Sequence, residues 1–358
     1  MKTLTKIFLM LFLFTASLNS QNLKFRSGIF FHHSTGECIW GPNGSNTSIP
    51  QQMVIYNTNH GYTGTNAVTM SELWWPVEDD NEWWRWHRIF KNQDTAANIQ
   101  PFFASNRIMV IKSCFPSSNV ETWGEPGDTV YPNYKTVLNY KWHWRNIIKV
   151  MRTHPQNFFV IWTNAPLVPN ETNSTEAFFS HCFCKWAKDT LAAGLDPVTG
   201  NFPQNVYVFD FFHKLVGSNW MMLLSYASGP YDSHPNASAT QLVAPQFVSE
   251  IFNASINYEQ VYGIRQIQEY APGYYLNQNY PNPFNPSTKI RFGIPSRMVV
   301  SLEVYSAEGK RAAVLYNGML NAGEYESEFS GTALTSGIYF YRIKTGEFSV
   351  SKKMILIK

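Results

Sequence analysis

Tryptophan stops partway along this chain, and that break constrains the possible fold more than any other feature. All 12 tryptophans lie between Trp40 and Trp220, and none follows Gly273. A body this rich in indole needs a large interior in which to bury it. The stretch after Gly273 is short and opens with clustered prolines, so it must build a different core. A chain of 358 residues accommodates one large domain and a smaller one. With 44% hydrophobic and 15% charged residues, it is neither disordered nor collagen-like. The charge divides at the same place. Residues 273–358 carry ten Lys/Arg against six Asp/Glu, or +4. The whole chain is +3; removing Lys2 and Lys6 with a leader leaves about +1, and so about −3 for the preceding domain. No basic stripe of the kind that tracks a phosphate backbone is present, which argues against nucleic acid as a partner.

Residues 1–20 begin with Lys2 and Lys6, continue through Ile7-Phe8-Leu9-Met10-Leu11-Phe12-Leu13-Phe14 and end in Ala16-Ser17-Leu18-Asn19-Ser20. That order of charge, apolar run and small residues is a secretory signal peptide. The run is too short to span a bilayer, and no later stretch is long enough to form a transmembrane segment. Export permits disulfides among Cys38, Cys114, Cys182 and Cys184. Three pairings are possible, and any bridge is expected to join Cys182 or Cys184 to Cys38 or Cys114, because Cys182 and Cys184 are too close to pair.

Past Gly273 the chain reads Asn279-Tyr280-Pro281-Asn282-Pro283-Phe284-Asn285-Pro286, followed by alternating strand-length runs. These include Lys289 to Phe292, Val299 to Tyr305, Gly337 to Ile343 and Ser349 to Ile357, separated by turns such as Glu308-Gly309 and Thr345-Gly346. The pattern predicts a small all-β, immunoglobulin-like sandwich. Three landmarks are the proline-rich entry, Tyr305-Ser306-Ala307-Glu308-Gly309-Lys310 and the Gly337-Ile338-Tyr339-Phe340-Tyr341 strand, with a closing Lys352-Lys353-Met354 strand. Together they resemble the type A C-terminal sorting domain of the type IX secretion system. The resemblance implies that residues 279–358 are an address read by that machinery, with residues 266–278 as a linker. It also implies a protein secreted by, or displayed on the outer membrane of, a Gram-negative bacterium.

Residues 24–265 alternate apolar runs with helical stretches. Gly28 to Phe31, Met53 to Tyr56, Arg107 to Lys112, Phe158 to Trp162 and Val206 to Phe209 read as strands; 140–152, 176–193 and 238–252 read as helices. Such alternation predicts a parallel sheet covered on both faces, a three-layer α/β/α domain, with chemistry beyond the carboxyl ends of the strands. Ser34 follows the first strand. Asp232 and His234 come late, before the closing helix. A serine, a histidine and an acid make a nucleophile, a base and its orienting group if the sheet brings them together.

That layout resembles the SGNH/GDSL hydrolase superfamily, whose fold is flavodoxin-like. The resemblance rests on His32-His33-Ser34 after the first strand, Asn59-His60-Gly61-Tyr62-Thr63-Gly64, Trp162-Thr163-Asn164-Ala165-Pro166 after the fourth strand, and Asp232-Ser233-His234-Pro235-Asn236. It implies Ser34 as nucleophile, His234 as general base, Asp232 as its partner, and the amides of Ser34 and Gly64 as oxyanion donors. The chain departs from the family in three places. His33 stands where the family has Asp. Ser113-Cys114-Phe115-Pro116-Ser117-Ser118-Asn119 replaces Gly-x-Asn-Asp, leaving Ser113, Ser118 or Asn119 to complete the oxyanion hole. A single residue separates Asp232 from His234 where the family has two.

The segment from Glu72 to Arg88 holds five tryptophans, Trp74, Trp75, Trp83, Trp84 and Trp86. It serves equally as a sugar-stacking surface or as buried core. His33, Trp74 and Trp75 are the candidate substrate contacts. Asp210, ending the fifth strand, is an alternative acid. His32, His33 and His60 lack a completing ligand at any recognised spacing, so no metal is expected, and the chemistry requires no cofactor. The expected function is a secreted serine ester hydrolase acting on acylated, especially acetylated, glycans or other esters. The rival expectation is a non-catalytic glycan-binding or adhesive surface protein on the same fold, and a thiol enzyme built on Cys114 is a third.

Overall fold

The computed structural model describes residues 24–44, 47–77, 82–261, 264–332, 334–346 and 348–358. The signal peptide expected at residues 1–20 lies outside the described residues. Five parallel strands form the central sheet: β1 (Ser27–His32), β2 (Thr69–Trp74), β3 (Ile108–Ile111), β4 (Phe158–Trp162) and β5 (Val206–Phe209), in the order β2-β1-β3-β4-β5. The helices are α1 (Ser34–Trp40), α2 (Ile49–His60), α3 (Trp83–Phe90), α4 (Gln100–Ser105), α5 (Val137–Arg152), α6 (Ser174–Trp186), α7 (Phe212–Leu215) and α8 (Ala237–Val261).

Because successive strand residues point to opposite faces, each apolar strand feeds two cores. Ile29, Phe31, Met109, Ile111, Phe159 and Ile161 face α3, α4, α5 and α6. Phe30, Val110, Phe158, Val160 and Trp162 face α1, α2 and α8. The runs read from the sequence at β1, β3, β4 and β5 are therefore present as strands. The run Met53 to Tyr56 is helical instead. Ser48 caps α2, with Gln51 returning the bond to complete a capping box, and Pro50 stands in the first turn. The true second strand, β2, lies on the sheet edge and is half exposed, so it lacked an apolar signature.

After α6 and α7 a short hairpin, β6 (Ala227–Gly229) and β7 (Asp232–Pro235), leads into α8. The remaining strands are β8 (Ile264–Gln268), β9 (Tyr275–Leu276), β10 (Ser287–Ile294), β11 (Met298–Ser306), β12 (Arg311–Leu320), β13 (Gly323–Ser330), β14 (Gly337–Lys344) and β15 (Ser349–Leu356). They make two antiparallel sheets, β8-β13-β10-β9 and β12-β11-β14-β15, around Ile290, Phe292, Leu302, Tyr341 and Met354. The two ends of the expected linker at 266–278 thus join this all-β unit, since β8 pairs with β13 and β9 with β10. Glu326, only 6% exposed, receives Arg265 from β8 at 3.1 Å and Arg291 from β10 at 2.8 Å, which fastens the entering strand to the sheet.

The tryptophan-rich segment divides. Helix α3 buries Trp83 and Trp86 completely. The Trp86 indole donates to the Lys112 carbonyl at 2.9 Å, and Trp83 donates to Asn164 Oδ1 at 2.8 Å. These two rings therefore brace the carboxyl ends of β3 and β4. Trp75 packs on Phe31 and Phe102 in the core rather than on a ligand surface.

Helices α3 and α5 also meet through a buried histidine pair. His143 Nε2–H donates to the Pro132 carbonyl at 2.7 Å, which leaves its Nδ1 to accept from His87 Nδ1–H at 3.0 Å. Burial lowers the pKa of His87 to about 3 and of His143 to about 4, against an ordinary 6.5. The unfolded chain therefore binds more protons between those values and 6.5, and acidification through that window favours unfolding. Urea melts are expected to show stability constant above pH 6.5 and falling below it, with a slope of up to about 1.4 kcal/mol per pH unit for each histidine. His87→Gln should remove part of that slope.

Candidate functional site

The strand order reverses at β1: the chain leaves it toward β2 on one side, and β3 lies on the other. A crevice opens outside the carboxyl ends of strands at such a switch point. Ser34 stands there as the first residue of α1, where its amide has no partner within the helix. Its hydroxyl lies 3.4 Å from Cys114 Sγ, just past β3, and Thr35 Oγ1 lies 3.8 Å from the same sulfur. Gly36 allows α1 this close. A Cβ there would stand 2.3 Å from His32 Cβ and 3.0 Å from Lys112 Cδ.

Lys112 is the residue that sequence reasoning missed. It is 1% exposed, its ammonium is left with the Cys114 sulfur rather than an oxygen or nitrogen partner among the described residues, and burial pushes its pKa down. Its charge acts on Cys114 and Cys38. Burial by itself would raise the Cys114 thiol, but Lys112 and hydrogen bonds from Ser34, the Phe115 backbone and Thr35 outweigh it and draw the pKa down to about 7. Cys38 moves the other way, raised by burial and by Glu37 and Asp232. A lysine at a strand end reads as a surface charge, and only the packing of α1 over it reveals its burial.

Strand β7 packs on α1. His234 Nδ1–H donates to Asp232 Oδ1 at 2.6 Å, and the His234 amide donates to the same oxygen at 3.0 Å. These two bonds hold the Asp232 carboxyl below its usual pKa. They also leave His234 Nε2 with its lone pair. The Phe115 ring stands edge-on to the His234 imidazole, centroids 4.8 Å apart. Ser34 and His234 thus contact adjacent residues, Cys114 and Phe115, of one loop.

Other expected residues lie elsewhere. Gly64 follows α2 and precedes β2. Since Thr69 is in register with Ser27, Gly64 sits at the amino-terminal end of the sheet, away from Ser34, and is not an oxyanion donor. Ser113 and Ser118 are buried at the correct end, and their hydroxyls, like Asn119 Oδ1, have no partner among the described residues. His33 is buried, and its Nε2 donates to the Pro76 carbonyl at 2.5 Å. Trp74 stacks on it at 4.8 Å and remains 43% exposed. His32 donates to Glu72 at 2.8 Å and is kept neutral by burial and the Lys112 charge, its pKa lowered to about 4. His60 bonds Tyr56 on α2. Among the described residues no three His, Cys, Asp or Glu side chains gather as metal ligands. Asp210 is not the partner of His234. It accepts from His213 Nδ1–H at 2.8 Å and pairs with Lys188 at 3.2 Å, and His213 in turn meets His181, which stacks on Trp220. All four cysteines are free, so the expected disulfide is absent; Cys184 is buried in the core under α6, while Cys38 and Cys114 flank Lys112.

Residues 278–358 match the family described as the secretion system C-terminal sorting domain. The tail is a type IX sorting domain. It marks the chain as a secreted or cell-surface protein that engages the secretion machinery. Among the described residues no helix is long and apolar enough to cross a membrane. No family model was matched by the domain that precedes the tail, and no curated protein matches the chain. The solved structures it resembles include an endo-β-1,4-mannanase from Thermotoga petrophila. That enzyme is 12% identical with a TM-score of 0.18, over 73% of this chain and 50% of the mannanase. An engineered protein is 8% identical with a TM-score of 0.20, over 85% of this chain and 68% of that one. The chain spans about half the length of the mannanase, and overlaps this slight say nothing of the site.

Replacing Lys112 with Met should raise the Cys114 thiol by at least about one pH unit, because burial then acts unopposed by the ammonium. Thiolate absorbance, titrated in a chain whose other three cysteines are alanine, checks this.

Proposed function

We propose that the large domain is a serine ester hydrolase of the SGNH type, carried out of the cell by its tail to act on acylated glycans. The observation that carries this reading is the pairing of Asp232 with His234 beside α1, whose first residue is Ser34 at the switch point of the sheet. In this reading a substrate carbonyl enters above α1. Ser34 turns from Cys114, gives its proton to His234 Nε2 and bonds the carbonyl carbon. Asp232 keeps the Nδ1 proton and stabilises the imidazolium. The tetrahedral oxyanion is met by the Ser34 amide and, in place of Gly64, by a donor from the 113–119 segment. His234 then protonates the leaving alcohol, and water releases the acyl group by the same steps reversed in role.

Two features favour Ser34 over Cys114 as nucleophile. Ser34 is half-buried, whereas Cys114 is buried beneath it. The thiol also shares its surroundings with Lys112 rather than with a base placed to relay a proton. The exposed Trp74 at the end of β2 suits a sugar ring near the site, as the acylated-glycan reading needs.

Hydrolysis of p-nitrophenyl acetate by the full chain tests the proposal. Ser34→Ala and His234→Ala should each lower kcat/KM by about 10³-fold or more. Asp232→Asn should cost less, because that carboxylate is 50% exposed and water partly replaces it. Cys114→Ala should retain activity to within about tenfold. Activity that survives Ser34→Ala and is lost with Cys114→Ala would replace this reading with the thiol enzyme.

A further inference from the structure

The loop after β3 forms a second concave surface. Residues 121–125 and 134–136 line a cleft of about 460 Å³ that includes Glu121, Trp123, Glu125, Asp128, Tyr134 and Lys135. Trp123 is 53% exposed, yet it is not loosely held. Phe179 stands nearly perpendicular to it, at 80° and 5.2 Å, and Phe178 at 89° and 6.2 Å. Its backbone carbonyl accepts from the Leu138 amide at 2.9 Å, and Thr122 accepts from Val137 at 3.0 Å, so the cleft wall satisfies the first amides of α5. The Glu121 amide donates to the Lys135 carbonyl at 2.7 Å and ties the two walls together. Gly124 makes the turn at φ +85°, with Thr136 Oγ1 where a Cβ would need to be, at 2.3 Å. The cleft is therefore formed before any ligand arrives.

We infer that this cleft is a subsite for an uncharged glycan chain, an inference that rests on the proposed action on acylated glycans and extends it to the polymer. An exposed indole fixed in one plane presents an apolar face to the C–H side of a pyranose. Carboxylates at the edge accept hydrogen bonds from hydroxyls. Three of them, Glu121, Glu125 and Asp128, against the single ammonium of Lys135 repel uronates, sulfates and phosphates. The location fits as well. The loop leaves β3 at the carboxyl end, and Phe178 and Phe179 lie in the first half of α6, which follows the carboxyl end of β4. Cleft and Ser34 therefore share one rim of the sheet, and a chain held on Trp123 keeps its acyl groups on the side of the domain where Ser34 stands.

The test electrophoreses the full chain carrying Ser34→Ala, which turns over no ester, through gels containing xylan, glucomannan, hydroxyethyl cellulose or polygalacturonate. At least one neutral gel is expected to retard it, and polygalacturonate is not. Trp123→Ala should weaken the retardation by about tenfold or more in apparent affinity, while Trp123→Phe keeps most of it and so separates loss of the stacking face from misfolding. Glu121→Lys combined with Glu125→Lys should admit polygalacturonate. The inference is overturned if none of the three neutral gels retards the chain, if Trp123→Ala leaves retardation undiminished, or if polygalacturonate retards the Ser34→Ala chain. Hydrolysis of p-nitrophenyl acetate, which needs Ser34 and should be indifferent to Trp123→Ala, separates failure of the esterase reading from failure of this one.

Discussion

Strand β1 is paired on both edges, to β2 and β3, and its inner residues are buried on both faces. Everything at the carboxyl rim depends on where that strand stops. Phe30 enters one core and Phe31 the other, so a slip of one residue would exchange the two faces and carry His32 and Ser34 with them. With the register fixed, α1 must begin at once, and Gly36 lets it settle directly over the stem of Lys112. The contact between Ser34 and Cys114 follows from that approach. The tryptophans of α3 act at the same rim from the opposite face, holding the ends of β3 and β4 through the Lys112 carbonyl and Asn164. Two of the 12 tryptophans are thus spent on fixing the loops that carry polar residues.

What could be read from the residues, and what could not, follows from how each element is buried. Strands β1, β3, β4 and the edge strand β5 are covered on both faces and appear as unbroken apolar runs, which is why they were legible. Edge strand β2, Thr-Met-Ser-Glu-Leu-Trp, is largely exposed and has no such run. Met53 to Tyr56 imitates a strand because four apolar or aromatic residues fall together, yet Ser48-Ile49-Pro50-Gln51 just before it carries the chemistry of a helix start. Taking the run as a strand moved the expected second block of the site to the wrong end of the sheet, and Gly64 went with it. Ser34, Asp232 and His234 did not depend on that step, since each follows from the first strand or from the approach to the last helix.

The tail was legible for a different reason. Its proline-rich entry and alternating strands are short-range signals, and the sorting-domain match rests on them directly. Its start at 279 agrees with the match from 278, but the β unit also takes in a strand ahead of it. Strand β8 alternates weakly and is mostly exposed, and what places it in the sandwich is the long-range pairing with β13 and the seat of Arg265 on Glu326. Contacts separated by some sixty residues leave no mark in a local window.

Lys112 is the least legible part of the site and the one with the largest electrostatic consequence. An ammonium without an oxygen or nitrogen partner in the interior is costly, and mutual attraction offsets that cost best when the neighbouring group carries the opposite charge. Cys114 can supply that charge by ionising, and its depressed pKa is the other side of the same interaction. The Lys112 charge favours the ionised sulfur, toward which the Ser34 hydroxyl can donate its own proton at 3.4 Å. In the esterase proposed above, a Ser34 held by the Cys114 sulfur would be oriented but not activated, and substrate entry above α1 would have to turn its hydroxyl from the sulfur toward His234.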